Sequence, residues 1–485
     1  MTSRANRVFP VFAMTWALCG AGIVFVLHLG RALPPASHNT QMAVAAPSAS
    51  PLSNPTLIHS LPGSPWSALL ENLNSPLGRL LAQLIVIVLA TRTIGSLFRR
   101  IGLPSVVGEI TAGILLGPSL FGWLWPGGFA FLFAPASLEI LKLLSQIGVT
   151  VFMFVVGMEL ETGHLRDKVR PAFLVSQTGI VVPFFMGMVA ALYLYGGYAG
   201  AGASFTSFAL FLGIALSITA FPVLVRILEE RGMIKTPLGN VAITCAAVGD
   251  ASAWTILAFV VAFVRAEGML ATLYNFALLA LFVSFMLVVV RRWLPLWLRP
   301  NAIVERGPSL GIVAAVLLFM TGSALATEVL GIHALFGAFL AGAIMPRDEG
   351  FRHYLVVRME NFTSVLLMPL FFAFSGLRTH IGMLNNAGGW FICLIVVVVA
   401  TAGKLGSSMF AARLIGMGWN DAFAFGALMN TRGLMELIAL NIGYDLGILP
   451  APIFTILVLM ALFTTFLTGP LINVAERLKP ASGIS

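Results

Sequence analysis

The chain has 485 residues, of which 59% are hydrophobic and only 10% charged, and its mean hydropathy is +0.96. Soluble domains carry about 25% charged residues, so a soluble core is excluded as the main architecture. The apolar stretches run to about 20 residues, the length of a spanning helix and about twice that of a barrel strand. The net charge of +9 collects at helix ends, as membrane topology requires, and gives no reason to expect nucleic acid as a partner.

Residues 1–30 contain a first apolar segment, roughly 11–29, that follows Arg4 and Arg7. This fits a signal anchor or a signal peptide. The nearest Ala-x-Ala site, Ala43-Val44-Ala45, lies far beyond the apolar stretch and favours the uncleaved anchor. Residues 31–76, rich in Pro, Ser, Asn and Ala, read as a flexible external linker. Residues 77–480 form an all-α transmembrane domain of about thirteen spans, at 79–98, 106–122, 136–160, 171–196, 205–229, 238–264, 271–293, 308–330, 331–346, 362–382, 388–413, 419–445 and 451–476. Every other loop is basic: Arg99 and Arg100; Arg166, Lys168 and Arg170; Arg226, Arg231 and Lys235; Arg291, Arg292, Arg299 and Arg306; Arg347, Arg352 and Arg358; Arg413; Arg477 and Lys479. The intervening loops hold little beyond Arg265 and Arg378. Positive loops stay inside, which places these loops and the C-terminus in the cytoplasm of a cell whose inner (plasma) membrane the chain crosses many times.

Two spans are interrupted by polar groups and helix breakers. The fifth carries Ser217-Ile218-Thr219-Ala220-Phe221-Pro222, and the twelfth Asn430-Thr431-Arg432-Gly433. An offset of seven spans makes them run in opposite directions. Paired interruptions in corresponding halves point to an inverted-repeat transporter with its site at the breaks; proline kinks without such a role are also common in membrane helices.

Asp250 sits mid-span in Val248-Gly249-Asp250-Ala251-Ser252. A carboxylate there costs about 2.5–3.5 kcal/mol on insertion scales and by default marks an ion or proton route; the competing role is a structural hydrogen bond between helices. Its oxygens can hold a proton or ligate a hard cation. Lys404, in Gly403-Lys404-Leu405-Gly406, is equally deep, and Asp250 is its evident candidate partner unless it snorkels to an interface. Arg432 and Glu436, four apart, share a helix face; they either satisfy each other and the half-helix ends or ligate the ion directly. Glu109 pairs within the bundle or sits near the surface, Arg378 lies near an outer end, and His333, at the start of a span, reads as structural. Cys19, Cys245 and Cys393 occupy separate apolar stretches with neither disulfide nor metal spacing. No Walker motif is present, and Gly200-Ala201-Gly202 lacks the third glycine and strand of a dinucleotide fingerprint. Neither an enzyme nor a cofactor is expected.

The ordered set of motifs resembles the monovalent cation:proton antiporter superfamily, in the branch with Kef-type and bacterial sodium/proton antiporters and plant cation/proton exchangers. The matching stretches are Val107 to Pro118, Phe154-Val155-Val156-Gly157-Met158-Glu159-Leu160, Ser217 to Pro222 with Arg226, the Asp250 segment ending in Trp254, Phe336 to Gly342, Pro369-Leu370-Phe371-Phe372 with Gly376, Gly403-Lys404, and Asn430 to Asn441. The resemblance implies inverted repeats, two crossed and partly unwound helices, a core around 171–264 and 388–476, and a homodimer in the lipid bilayer. It also implies that Asp250 is the ion-binding acid and Lys404 the charge-compensating lysine. The position before the aspartate departs from the pattern: electrogenic members have Asp there and electroneutral ones often Asn, whereas this chain has Gly249.

The expected activity is exchange of K⁺ or Na⁺ for H⁺ by competition at Asp250, where the monovalent cation sits. Thr219 and Ser217 add oxygens, Pro222 and Gly433 break the helices, and Arg432, Glu436, Glu109 and Arg378 support the site. A single titrating acid predicts an electroneutral cycle. A gated cation channel and a non-transporting membrane sensor are the alternatives.

Overall fold

The computed structural model describes residues 2–34, 72–101, 103–159, 169–265, 269–298, 310–331, 333–346 and 348–478. Most of the expected linker lies outside the described residues, as do Arg166, Lys168, Arg299, Arg306, Arg347 and Lys479 from the basic loops.

The described residues form helices throughout, and twelve helical stretches are long and apolar enough to cross a membrane. One of these is the N-terminal segment, Val8–Gly30. Two expected spans fall outside that set. Ala334–Ala343 is a helix of only 10 residues, and the segment 419–445 is divided into Trp419–Met429 and Leu434–Asp445. The fifth expected span is divided too, into Phe205–Ser217 and Phe221–Glu230.

Local chemistry explains the ends. Ser204 accepts from the Ser207 N–H, Asp348 from that of Phe351 and Asn386 from that of Gly389, each side chain satisfying a donor that the first turn leaves unpaired. Pro222 stands in the first turn of its half-helix, where its missing N–H leaves nothing unsatisfied. The break therefore precedes the proline and covers Ile218–Ala220.

Helices pack closely where glycine permits it. A Cβ on Gly113 would come within 2.6 Å of Ala373, and one on Gly187 within 2.8 Å of Gly213. Small residues at such crossings let backbones approach when no hydrophobic force drives association in lipid. The N-terminal helix, Thr2–Gly30, lies along Val169–Tyr198; it buries Phe12 and Val26 and bonds Trp16 Nε1 to Thr178 Oγ1 at 3.0 Å.

Candidate ion-exchange site

The two broken spans cross at their interruptions. The Ala220 N–H donates to the Thr431 carbonyl at 3.0 Å, and the Thr219 hydroxyl to the Met429 carbonyl at 3.0 Å. Unwound backbone in a membrane must find partners within the protein, and here each break supplies some of the other's. Thr465 adds a clamp: its hydroxyl accepts from the Arg432 N–H and donates to the Arg432 carbonyl, both at 2.9 Å. Gly433 is required by space, since a Cβ there would meet Val223 at 2.8 Å.

The half-helix Phe205–Ser217 ends with carbonyls that have no following turn. The Ile214 carbonyl takes the Ile218 N–H. Arg432 fills the next two, Nη1 donating to Ala215 at 2.5 Å and Nη2 to Leu216 at 2.7 Å, and Lys404 Nζ fills the last, Ser217, at 2.5 Å. The C-terminus of a helix carries about half a negative charge, so two buried cations suit it. Lys404 has a second partner, the Gly179 carbonyl, at 2.7 Å. That oxygen is free because Pro183, four residues on in the helix Val169–Tyr198, has no N–H to offer it.

Lys404 therefore does not pair with Asp250 as the sequence led us to expect. Among the described residues no ion pair joins them, although each lies in the other's field. Arg432 is 1% exposed and keeps an ion pair with Glu436 at 3.5 Å, so the shared face expected for these two is present.

Asp250, on the helix Pro237–Arg265, is 2% exposed, and neither carboxylate oxygen has a hydrogen-bond partner among the described residues. The backbone N–H of Phe221, at the start of the second half-helix, is directed at it without closing a bond of ordinary geometry. A cavity of about 10 Å³ adjoins it, lined by Ile218 and Met435 from the two broken spans and by Trp254 from the next turn. That is the size of one water or one bare monovalent ion. The acid thus sits where the breaks meet, beside the positive end of a half-helix, with its lone pairs unused.

The other expected residues are dispersed. The Ser217 hydroxyl turns onto its own helix, donating to the Ile214 carbonyl at 3.0 Å; its backbone oxygen is the part that serves the crossing. Gly249 packs toward the proline helix, where a Cβ would meet Ser176 Oγ at 3.0 Å. Glu109 lies in the wall of a cavity of about 330 Å³ that opens on the face carrying the basic loops and has Phe221, Pro222 and Leu434 among its lining residues. Arg378 is on the opposite face, donating to Asn441 Oδ1 and Asp445 Oδ1, each at 2.8 Å. Lys142 also pairs with Asp445, at 3.0 Å. His333 caps the helix Ala334–Ala343, and the three cysteines are buried and free.

Residues that the sequence did not single out complete the arrangement: Pro183 with Gly179, Thr465, and Lys142 with Asp445. A proline inside a long apolar segment was the one available signal for the first, because it always frees the carbonyl four residues before it.

Comparison with known proteins fits this geometry. Residues 84–475 match the family described as "Sodium/hydrogen exchanger, transmembrane". The chain is 42% identical over 394 residues to Na(+)/H(+) antiporter NhaS4 of Synechocystis sp., across 81% of this chain and 96% of that protein. It is 32% identical over 410 residues to K(+)/H(+) antiporter 1 of Saccharomyces cerevisiae, across 82% of this chain and 46% of that longer protein, about half of whose length it spans. The solved structure of the sodium proton antiporter MjNhaP1 from Methanocaldococcus jannaschii has the same fold, with a TM-score of 0.59 at 15% identity, covering 83% of this chain and 99% of that one. The chain is a multi-pass membrane protein and belongs to the sodium/hydrogen exchanger family of the monovalent cation:proton antiporter superfamily.

Proposed function

We propose that the chain exchanges a monovalent cation, Na⁺ or K⁺, for H⁺ by letting the two compete for Asp250. The observation that carries this reading is a fully buried carboxylate with both oxygens unpartnered, placed where two broken helices cross. A structural acid would have a hydrogen bond or an ion-pair partner, as Glu436 has in Arg432; an exchange site has to keep its oxygens free for whichever ion is bound. Relatives named as Na(+)/H(+) and K(+)/H(+) antiporters support the same activity.

The cycle follows from the two faces. A cavity of about 330 Å³ reaches the start of the half-helix Phe221–Glu230 from the basic face, the cytoplasmic one on our reading of the loop charges. On the opposite face, Asp445 is held by Arg378 and Lys142. Arg378 and Lys142 lie outside the expected core (171–264 and 388–476) and Asp445 inside it, so opening this face requires the clasp to part as the core moves. One cation for one proton leaves the charge of the site unchanged, and Gly249 adds no second acid, which supports an electroneutral cycle. We further infer that the protein resides in the inner membrane with a cytoplasmic C-terminus, works as a homodimer, and needs no enzymatic step. Residues 1–30 act as an uncleaved anchor, supported by the fit of Trp16 and Phe12 against the proline helix.

Cation-dependent proton release from everted vesicles tests the reading. Wild-type protein should release protons on addition of Na⁺ or K⁺, and Asp250→Asn should not. Release retained by the variant would refute the assignment.

A further inference from the structure

Four glutamates line the cavity on the basic face. Glu159, Glu229 and Glu360 are exposed, whereas Glu109 is only 9% exposed. Glu109 sits on the helix Ser105–Leu116, and among the described residues it neither accepts a hydrogen bond nor forms an ion pair. Three guanidinium groups act on it through space, those of Arg92, Arg226 and Arg99. None of them clasps it. Arg92 donates to the Ser364 carbonyl at 2.9 Å, and Arg226 pairs with Glu230 at 3.3 Å.

The backbone has made room for this side chain. The helices Pro76–Arg100 and Ser105–Leu116 meet at Gly95 and Gly108, where a Cβ on Gly108 would come within 2.8 Å of Gly95 Cα. Glu109 follows directly, and its Cγ runs past the bare face of Gly95. A carboxylate held in a crevice without a partner is unfavourable unless it has a cationic visitor or a proton. The same cavity is lined by Phe221, whose N–H is directed at Asp250. Glu109 is thus the buried acid between the solvent at the cavity mouth and the exchange site.

We propose that Glu109 is a staging site for the transported cation: its carboxylate draws a dehydrating Na⁺ or K⁺ in from the vestibule against the field of three arginines, and the ion passes from it along Phe221 to Asp250. This rests on the exchange reading above and adds a specific positioning residue to it. Glu109 holds the ion only in passing, so its loss should weaken cation capture more than turnover.

The test uses full-length protein in everted vesicles, which present the basic face to the medium, with cation concentration and pH both varied. Glu109→Gln should raise the KM for the cation by about five-fold, the scale of one lost charge at short range in water-like surroundings, with maximal rate within about two-fold of wild type. Glu109→Asp, which keeps the charge, should restore KM. Arg92→Gln, at an exposed side chain, should shift KM the opposite way. An unchanged KM in Glu109→Gln, or a fall in maximal rate at constant KM, would overturn the proposal. If Glu109→Gln does not assemble, an unchanged KM in Arg92→Gln overturns it alone. Absence of exchange in wild type would instead defeat the functional reading. Exchange that Asp250→Asn abolishes but neither Glu109→Gln nor Arg92→Gln alters would defeat only the staging site.

Discussion

Two groups of buried charge lie at the crossing of the broken spans, and they are treated in opposite ways. Lys404 and Arg432 between them donate to four backbone carbonyls, Gly179, Ala215, Leu216 and Ser217. Asp250, within the field of Lys404, accepts no hydrogen bond of ordinary geometry. The cations are taken up by the architecture, closing carbonyls that a proline and a helix end leave open. The anion is left uncommitted. Buried charge in one small region can therefore be sorted into fold-holding groups and proposed ion-handling ones by asking whether it already has a hydrogen bond or an ion-pair partner, as Glu436 has in Arg432.

This contrast is open to attack from both sides. The largest expected effect is on transport: Asp250→Asn should abolish cation-dependent proton release in vesicles while the melting temperature stays level or rises, because a buried carboxylate with no partner contributes no stability. A marked fall in melting temperature would place Asp250 with the structural charges. Next, Arg432→Ala should destabilise by about 3–5 kcal/mol, since it strips two carbonyls and leaves Glu436 buried without its cation; thermal unfolding in detergent reads this. Lys404→Met should cost roughly 2–4 kcal/mol by orphaning the Gly179 and Ser217 carbonyls. Adding Pro183→Ala should recover part of that loss, because the substituted backbone regains an N–H that can donate to the Gly179 carbonyl. No recovery would mean that Lys404 is not there for that carbonyl. The smallest effect belongs to the clasp on the far face. Asp445→Asn should change stability by only about 0–1 kcal/mol, as ion pairs in contact with solvent do, yet raise labelling of a cysteine placed at Asn441 by an impermeant reagent on the external side.

Part of this could be read in the sequence, and the physical reason differs from residue to residue. Spans are legible because lipid imposes length and composition on every one of them; even the divided segment 419–445 had the right limits. The breaks were legible through Pro222 and Gly433, and Asp250 through its isolation in apolar surroundings. The partner of Lys404 was not. A lysine in a membrane suggests a carboxylate, but its true partners are backbone oxygens, which every residue carries and no residue advertises. Only Pro183 marks one of them. Lys142 and Asp445 escaped notice for the opposite reason: charges near helix ends read as topology signals, and nothing in their spacing says that they meet.

The depth of the cavity on the basic face has an electrical consequence. Where solvent reaches Phe221, the membrane voltage cannot fall; it is squeezed into the packed half between Asp250 and the clasp at Asp445. In the proposed exchange, an ion leaving Asp250 for the far side crosses nearly the full drop, about 2.3 kcal/mol per elementary charge at 100 mV. A proton making the return trip over the same path feels the equal and opposite work. On the proposed one-for-one exchange, the membrane potential then cannot drive the cycle forward or back, and the concentration gradients alone set its direction.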